Sequence, residues 1–197
     1  MPIGMSKLDA VNACLQAISE YRVTALDPQG TNGTSIQADA ERVVDEATRY
    51  HCSMGWPCNT RKSIPIVITA QGAVNIASNT YGLPAATLRV KGAGISQHRA
   101  ITLRGSQLYD ANAGTTSFAV GTIFLDVAEL LAFEDCEPIL KEQISAYACV
   151  IFSRRRVGSQ LTDAFLSQEV SVTDALNPRA GTFFDKPIFT APSGGKE

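Results

Sequence analysis

Three stretches of the chain repeat apolar residues at helical spacing. Leu8, Val11, Leu15 and Ile18 step by three, four and three, which draws one narrow stripe along a helix from about Lys7 to Ser19. Ser6 precedes that helix and Asp9 follows it by three, the pairing of a capping box. Ile36, Ala40, Val43, Ala47, Tyr50 and Met54 repeat the pattern behind Ser35, a second N-cap candidate, until Gly55 stops it. Between them, Asp27-Pro28-Gln29-Gly30-Thr31-Asn32-Gly33-Thr34 reads as a loop, being dense in turn formers. Leu140, Ile144, Tyr147 and Ile151 mark a third helix behind Glu137-Pro138, where proline sits in the first turn at no cost in hydrogen bonding. A fourth segment, from Gln160 to Leu176, sets Leu161, Phe165, Val172 and Leu176 near one face and stops at Asn177-Pro178.

The texture changes between the second and third helices. Ile64 to Thr69, Thr87 to Val90, Arg99 to Leu103 and Thr122 to Asp126 are short, rich in β-branched residues and bounded by Gly, Pro or Asn. Turn signals at Tyr81-Gly82-Leu83-Pro84, Gly92-Ala93-Gly94 and Asp110 to Gly114 favour meandering antiparallel strands over parallel ones with helical crossovers. The pattern therefore predicts an α+β chain: a four-helix bundle of two N-terminal and two C-terminal helices, with a mainly antiparallel β-section inserted between helices 2 and 3. The segments are a helix pair over 1–58, a β-rich insertion over 59–132, a second helix pair over 133–177 and an extended C-terminal tail over 178–197. That tail has three prolines, two adjacent glycines and no period.

Composition narrows the function classes. The 197 residues are 45% hydrophobic and 18% charged, a folding composition. Seventeen basic against nineteen acidic residues give a net charge of -2, which argues against a dedicated nucleic-acid-binding module. No apolar run reaches the roughly 18 residues needed to span a bilayer, and the first residues are too polar for a secretion signal, so no membrane partner is expected. Five cysteines, Cys14, Cys52, Cys58, Cys136 and Cys149, form no CxxC pair and suit neither a disulfide scaffold nor a zinc ribbon. They read as small buried hydrophobes in a reducing compartment, the cytoplasm where the chain is made.

Signatures of chemistry are scarce. Walker A, G-x-S-x-G and H-E-x-x-H sequences are missing, and Gly92-Ala93-Gly94 lacks the third glycine of a dinucleotide loop. Tyr50-His51-Cys52 places neighbours on different helix faces, so His51 cannot take a proton from Cys52, and the pair reads as a surface histidine beside a half-buried cysteine. His51, Cys52 and Cys58 match no zinc spacing. Asp126, Glu129, Glu134, Asp135 and Glu137 gather ahead of the third helix, where its dipole already accounts for them. No catalytic, metal or cofactor residue is assigned. Arg154-Arg155-Arg156 ends the third helix, where cations complement the dipole or could fork onto carboxylates of a partner. Phe183, Phe184, Ile188 and Phe189 are large anchors in a tail with little core of its own. These seven residues are the candidate partner contacts.

Two stretches carry a resemblance. Ala10-Val11-Asn12-Ala13-Cys14-Leu15-Gln16-Ala17-Ile18-Ser19-Glu20-Tyr21-Arg22-Val23, followed by Gly55-Trp56-Pro57-Cys58-Asn59, resembles the "AVN-x-x-L-x-x-I-G-E-x-P-V" helix and "G-W-x-F-N" ending of the tail tubular protein A family of short-tailed phages. Arg104-Gly105-Ser106-Gln107-Leu108-Tyr109-Asp110 is similar to the family's "R-G-x-x-L-Y-D" hairpin, and Arg156-Val157-Gly158-Ser159-Gln160-Leu161 stands where the family has "v-G-d-x-x-L". The chain departs at Ser19 and Arg22, where the family prefers Gly and Pro, and at Cys58, where it prefers Phe. The resemblance spans Leu8 to Leu176. It implies a non-enzymatic virion protein of the tail or neck, a head–tail adaptor. Twelve copies would form a ring between the capsid portal and the nozzle protein, tail tubular protein B, around a channel for double-stranded DNA that is not bound by sequence. By the same analogy the C-terminal anchors would dock on the portal. The alternatives are another neck component, a head-completion or tail-terminator ring, and a virion-borne glycan hydrolase working with two carboxylates.

Overall fold

In a computed structural model, which describes residues 4–27, 35–76, 81, 83–84 and 86–156, the first helix, α1 (Lys7–Ala17), begins at the capping box its sequence predicts. The Ser6 hydroxyl accepts from the Asp9 N–H at 3.2 Å, and the Asp9 carboxylate accepts from the Ser6 N–H at 2.9 Å. The helix closes in a Schellman motif. Glu20 N–H donates to the Leu15 carbonyl and Ser19 N–H to the Gln16 carbonyl, each at 2.9 Å, with Ser19 held at φ 63°. Helices α2 (Ser35–Ser53) and α3 (Pro138–Arg156) follow, α3 opening on the proline.

The described residues fall into two units. Residues 4–27 and 35–53 join 130–156 in a helical unit, and described residues of 54–129 form a β unit. In the helical unit each of α1, α2 and α3 packs against the other two. Their buried faces are Ala10, Val11, Cys14 and Leu15; Ala40, Val43, Val44 and Ala47; and Leu140, Ile144, Ala148 and Phe152. This corrects the four-helix bundle. Three stripes already close on one another, so their burial requires no fourth helix; the stretch 160–176 lies outside the described residues. The α+β class stands.

The α1 stripe also sits a little round the helix from its expected position. Ala10 and Cys14 are buried where Leu8 and Ile18 are only half-buried, because small side chains let the helix axes approach closely.

In the β unit β1 (Thr60–Ile68), β7 (Gly121–Glu129) and β3 (Thr87–Gly92) form an antiparallel sheet in the order β1-β7-β3. The central strand is thus the last in sequence, and the sheet is no simple meander. Two ribbons complete the unit: β2 (Gly72–Ala73) with β6 (Ser117–Phe118), and β4 (Ile101–Arg104) with β5 (Gln107–Asp110), both antiparallel. Alternation decides the faces: Ile66 and Ile68 of β1 join Ile123, Leu125 and Val127 of β7 in a core that also takes Val90, Ile101, Leu108 and Phe118. Val67, one step out of phase, is exposed.

Candidate functional site

The three arginines proposed as contacts lie exposed in the last turn of α3. Two of them reach across to α2. Arg155 Nη2 meets Glu46 Oε2 at 2.7 Å, and Arg156 pairs with Asp39, which also pairs with Arg42. Seven residues apart, Asp39 and Glu46 are two helical turns along one face of α2, so adjacent arginines on α3 can each find one. Below them Val43 and Phe152 line a recess of about 230 Å³ whose rim is Asp39, Arg42, Arg155 and Arg156. The arrangement is a row of half-exposed guanidinium–carboxylate pairs at the α2–α3 edge. The other four contact candidates, Phe183, Phe184, Ile188 and Phe189, lie outside the described residues.

Further along α2 an open cleft of about 530 Å³ has Arg42, Asp45, Glu46, Thr48 and Arg49 on one side and Leu130, Leu131, Ala132 and Phe133 on the other. Its hydroxyl is already committed, Thr48 donating to the Val44 carbonyl at 2.8 Å. Such a wall of mixed charge facing apolar residues suits a protein surface.

The acidic cluster ahead of α3 separates into structural roles. Asp126 accepts from the Ser63 N–H at 2.9 Å, across a β-bulge where Ser63 takes φ 52°, and Glu129 pairs with Arg61 at 3.2 Å. Glu134 accepts from the Lys7 N–H at 2.8 Å, so the dipole it serves is that of α1.

His51 and Cys52, read from sequence as a surface histidine beside a half-buried cysteine, are both buried. The His51 ring meets those of Tyr50 and Tyr147 edge-on, with centroids 5.3 and 5.2 Å away, and its two nitrogens find no hydrogen-bond partner among the described residues. Burial pushes its pKa down to about 4, so the ring stays neutral at pH 7.

The family-like motifs prove to be turn and loop machinery. Gly105, at φ 63°, makes the two-residue turn between β4 and β5, while Leu108 enters the core. The Arg104 guanidinium lies 5.3 Å from the Tyr109 ring centroid. Asp110 is buried, takes Arg99 at 2.8 Å and accepts from the N–H groups of Asn112 and Ala113 at 3.1 and 3.2 Å. Burial alone would raise its pKa, yet the Ala113 N–H, Arg99 and the Asn112 N–H together hold it below the usual carboxylate value. In the other motif, Asn59 accepts from the Trp56 N–H at 2.6 Å and donates to the Glu129 carbonyl at 2.7 Å.

Sequence reasoning missed one presented side chain. The segment after α1 is clamped by Asn12, whose amide exchanges hydrogen bonds with Val23 at 2.8 and 3.0 Å, and by Gln37 and Glu41, which hold Ala25 and Asp27. At its apex Tyr21 is 92% exposed. A large aromatic on a pinned loop is the usual form of an interface anchor, and its place inside the Glu20-Tyr21-Arg22-Val23 stretch was the available signal.

The chain matches the family described as Tube, tail tubular protein, over residues 8–179. No match was found among the curated proteins compared with it. The matched span takes in every α-helix and β-strand of both units except Lys7. The chain belongs to the tail tubular protein family, structural components of phage tails.

Proposed function

Proceeding from a phage tail tubular protein, we propose that the chain is one subunit of a ring that joins the capsid portal to the tail nozzle and surrounds the path of the DNA. The family match over 8–179 carries this reading. Further support comes from the surfaces: the arginine–carboxylate row at the α2–α3 edge, Tyr21 on its clamped loop, and the apolar Val67, Ile95 and Val120, each more than half exposed on the β unit. A ring subunit must offer two different faces to its neighbours, and these features supply contact material. Arg154, Arg155 and Arg156 contribute charged contacts to an adjacent subunit or the portal. Phe183, Phe184, Ile188 and Phe189 dock on the portal. The subunit does no chemistry of its own, its buried Asp110 and His51 serving the fold.

Twelve subunits at -2 would carry 12 × (-2) = -24, so the ring's net charge repels a duplex bearing one phosphate per ~1.7 Å of axis and lets it pass. The deciding experiment is the mass in solution, by native mass spectrometry, with and without portal protein. A species near twelve times 21.0 kDa, alone or on the portal, is expected. A monomer that ignores the portal at micromolar concentration would overturn the proposal. Portal binding that survives deletion of 181–197 would refute the role of the tail.

A further inference from the structure

Four of the five cysteines fall into two contacting pairs, both inside the helical unit. Cys14 of α1 and Cys149 of α3 are buried with their sulfurs 3.7 Å apart. Cys52, in the last turn of α2, is buried against Cys136, which stands just before α3. Cys58, the fifth, belongs to the β unit. Each pair joins two segments distant in sequence, and together the pairs tie α3 and the turn before it to both other helices. Thiols buried merely as small hydrophobes have no reason to sort themselves two by two.

We propose that these pairs are latent disulfides, Cys14–Cys149 and Cys52–Cys136, which close when the protein meets a peroxide and lock the three helices together. In the Cys14–Cys149 pair the sulfur separation of 3.7 Å must shorten by roughly 1.7 Å to reach bonding distance. In each pair one sulfur, as thiolate, attacks a peroxide oxygen; the O–O bond breaks, and the departing hydroxide takes up a proton to become water. The sulfenic acid so formed is attacked by the second sulfur, the S–O bond breaks, and a second water leaves with the second thiol's proton. Two thiols and one hydrogen peroxide thus give one disulfide and two waters.

The two pairs differ in readiness. The side-chain contact with Cys136, helped by the Leu131 backbone, brings the Cys52 thiol down to about 7 in spite of burial. At Cys14 the hydrogen bond with Cys149 and then burial both push the thiol up. The chemistry is independent of the proposed ring, and its relevance is that a virion component made inside a reducing cell persists outside it.

The test is peptide mapping of the full-length native chain after treatment with hydrogen peroxide. The expected result is a titratable thiol count falling from five to one, with peptides linked 14 to 149 and 52 to 136 and no others. The thermal midpoint should rise and return on addition of a reductant. The Cys58→Ser variant should give the same two links. Five thiols surviving, either pair staying reduced, links through Cys58, or sulfinic acid in place of disulfide would overturn the inference. The same treatment in denaturant should scramble the links, showing that the native geometry selects them.

Discussion

The helical unit and the β unit solve the same problem, burying apolar surface around segments that need polar backbone partners, with a different balance of backbone and side-chain bonds. In the helical unit the backbone bonds to itself, so side chains are left to pack, and the reactive groups Cys14, Cys149, Cys52 and His51 are simply buried among the helices. Their polar pairs, Arg155 with Glu46 and Arg156 with Asp39, stay at the rim. In the β unit buried polar side chains fasten backbone groups: Asp110 accepts from 112 and 113, Asn59 links Trp56 to Glu129 at the end of β7, and Ser96 accepts from the Phe124 N–H within β7. Both units bury polar side chains, Gln37, Glu41, His51 and Lys141 in one and Asn59, Ser96 and Asp110 in the other, and in the β unit Asp110 and Asn59 hold the turns, where their loss is felt.

The largest effects should come from core truncation, which tests whether each unit loses its structure by itself. Leu140→Ala in the helical unit and Leu108→Ala in the β unit should each cost about 4 kcal/mol. Hydrogen exchange followed by mass spectrometry should show loss of protection mainly in the unit that was altered; uniform loss would make the chain one cooperative block.

Next comes acid. The folded protein binds a proton at His51 only below about pH 4, whereas the unfolded chain binds it below the ordinary 6.5. Between those values the unfolded state carries the extra proton, so stability falls as pH drops from 6.5 towards 4, by up to ~3 kcal/mol. Denaturant titrations across that range should show the loss in the native chain and a markedly flatter profile in His51→Phe. Equal profiles would mean that the histidine is solvated.

Asp110→Asn keeps the shape of the loop anchor but removes its charge. A loss of about 2 kcal/mol is expected, read as a lower urea midpoint at unchanged slope, with 111–114 becoming sensitive to protease. A neutral result would place the loop's stability elsewhere.

The smallest effect is a gain. Ser19 sits in the left-handed conformation that glycine adopts without strain, at the C′ position of the Schellman motif. Ser19→Gly should therefore stabilise the chain by about 1 kcal/mol, a rise of a few degrees in the thermal midpoint, and a fall would contradict the left-handed assignment. The departure from the family's glycine marks the very residue whose backbone is strained.

Local rules decided much of this protein from sequence alone. The Ser6–Asp9 cap, proline at the start of α3 and the strands around 64–68, 87–90 and 122–126 depend on neighbours a few residues away, and the sequence displays those neighbours. The motif residues from Ala10 to Val23 and from Arg104 to Asp110 likewise carried the family. Tertiary structure decided what depends on distant partners. Three helical stripes suffice to cover one another, and a period-3.6 pattern gives no count of how many helices share a core. Placing β7 between β1 and β3 is a choice among pairings of similar strands, made by a hydrogen-bonding register that no short window contains. His51 and Cys52 went inside because α2 buries a broader arc than its large apolar residues mark, and Arg99 met Asp110, as Cys14 met Cys149, only when folding brought distant segments together.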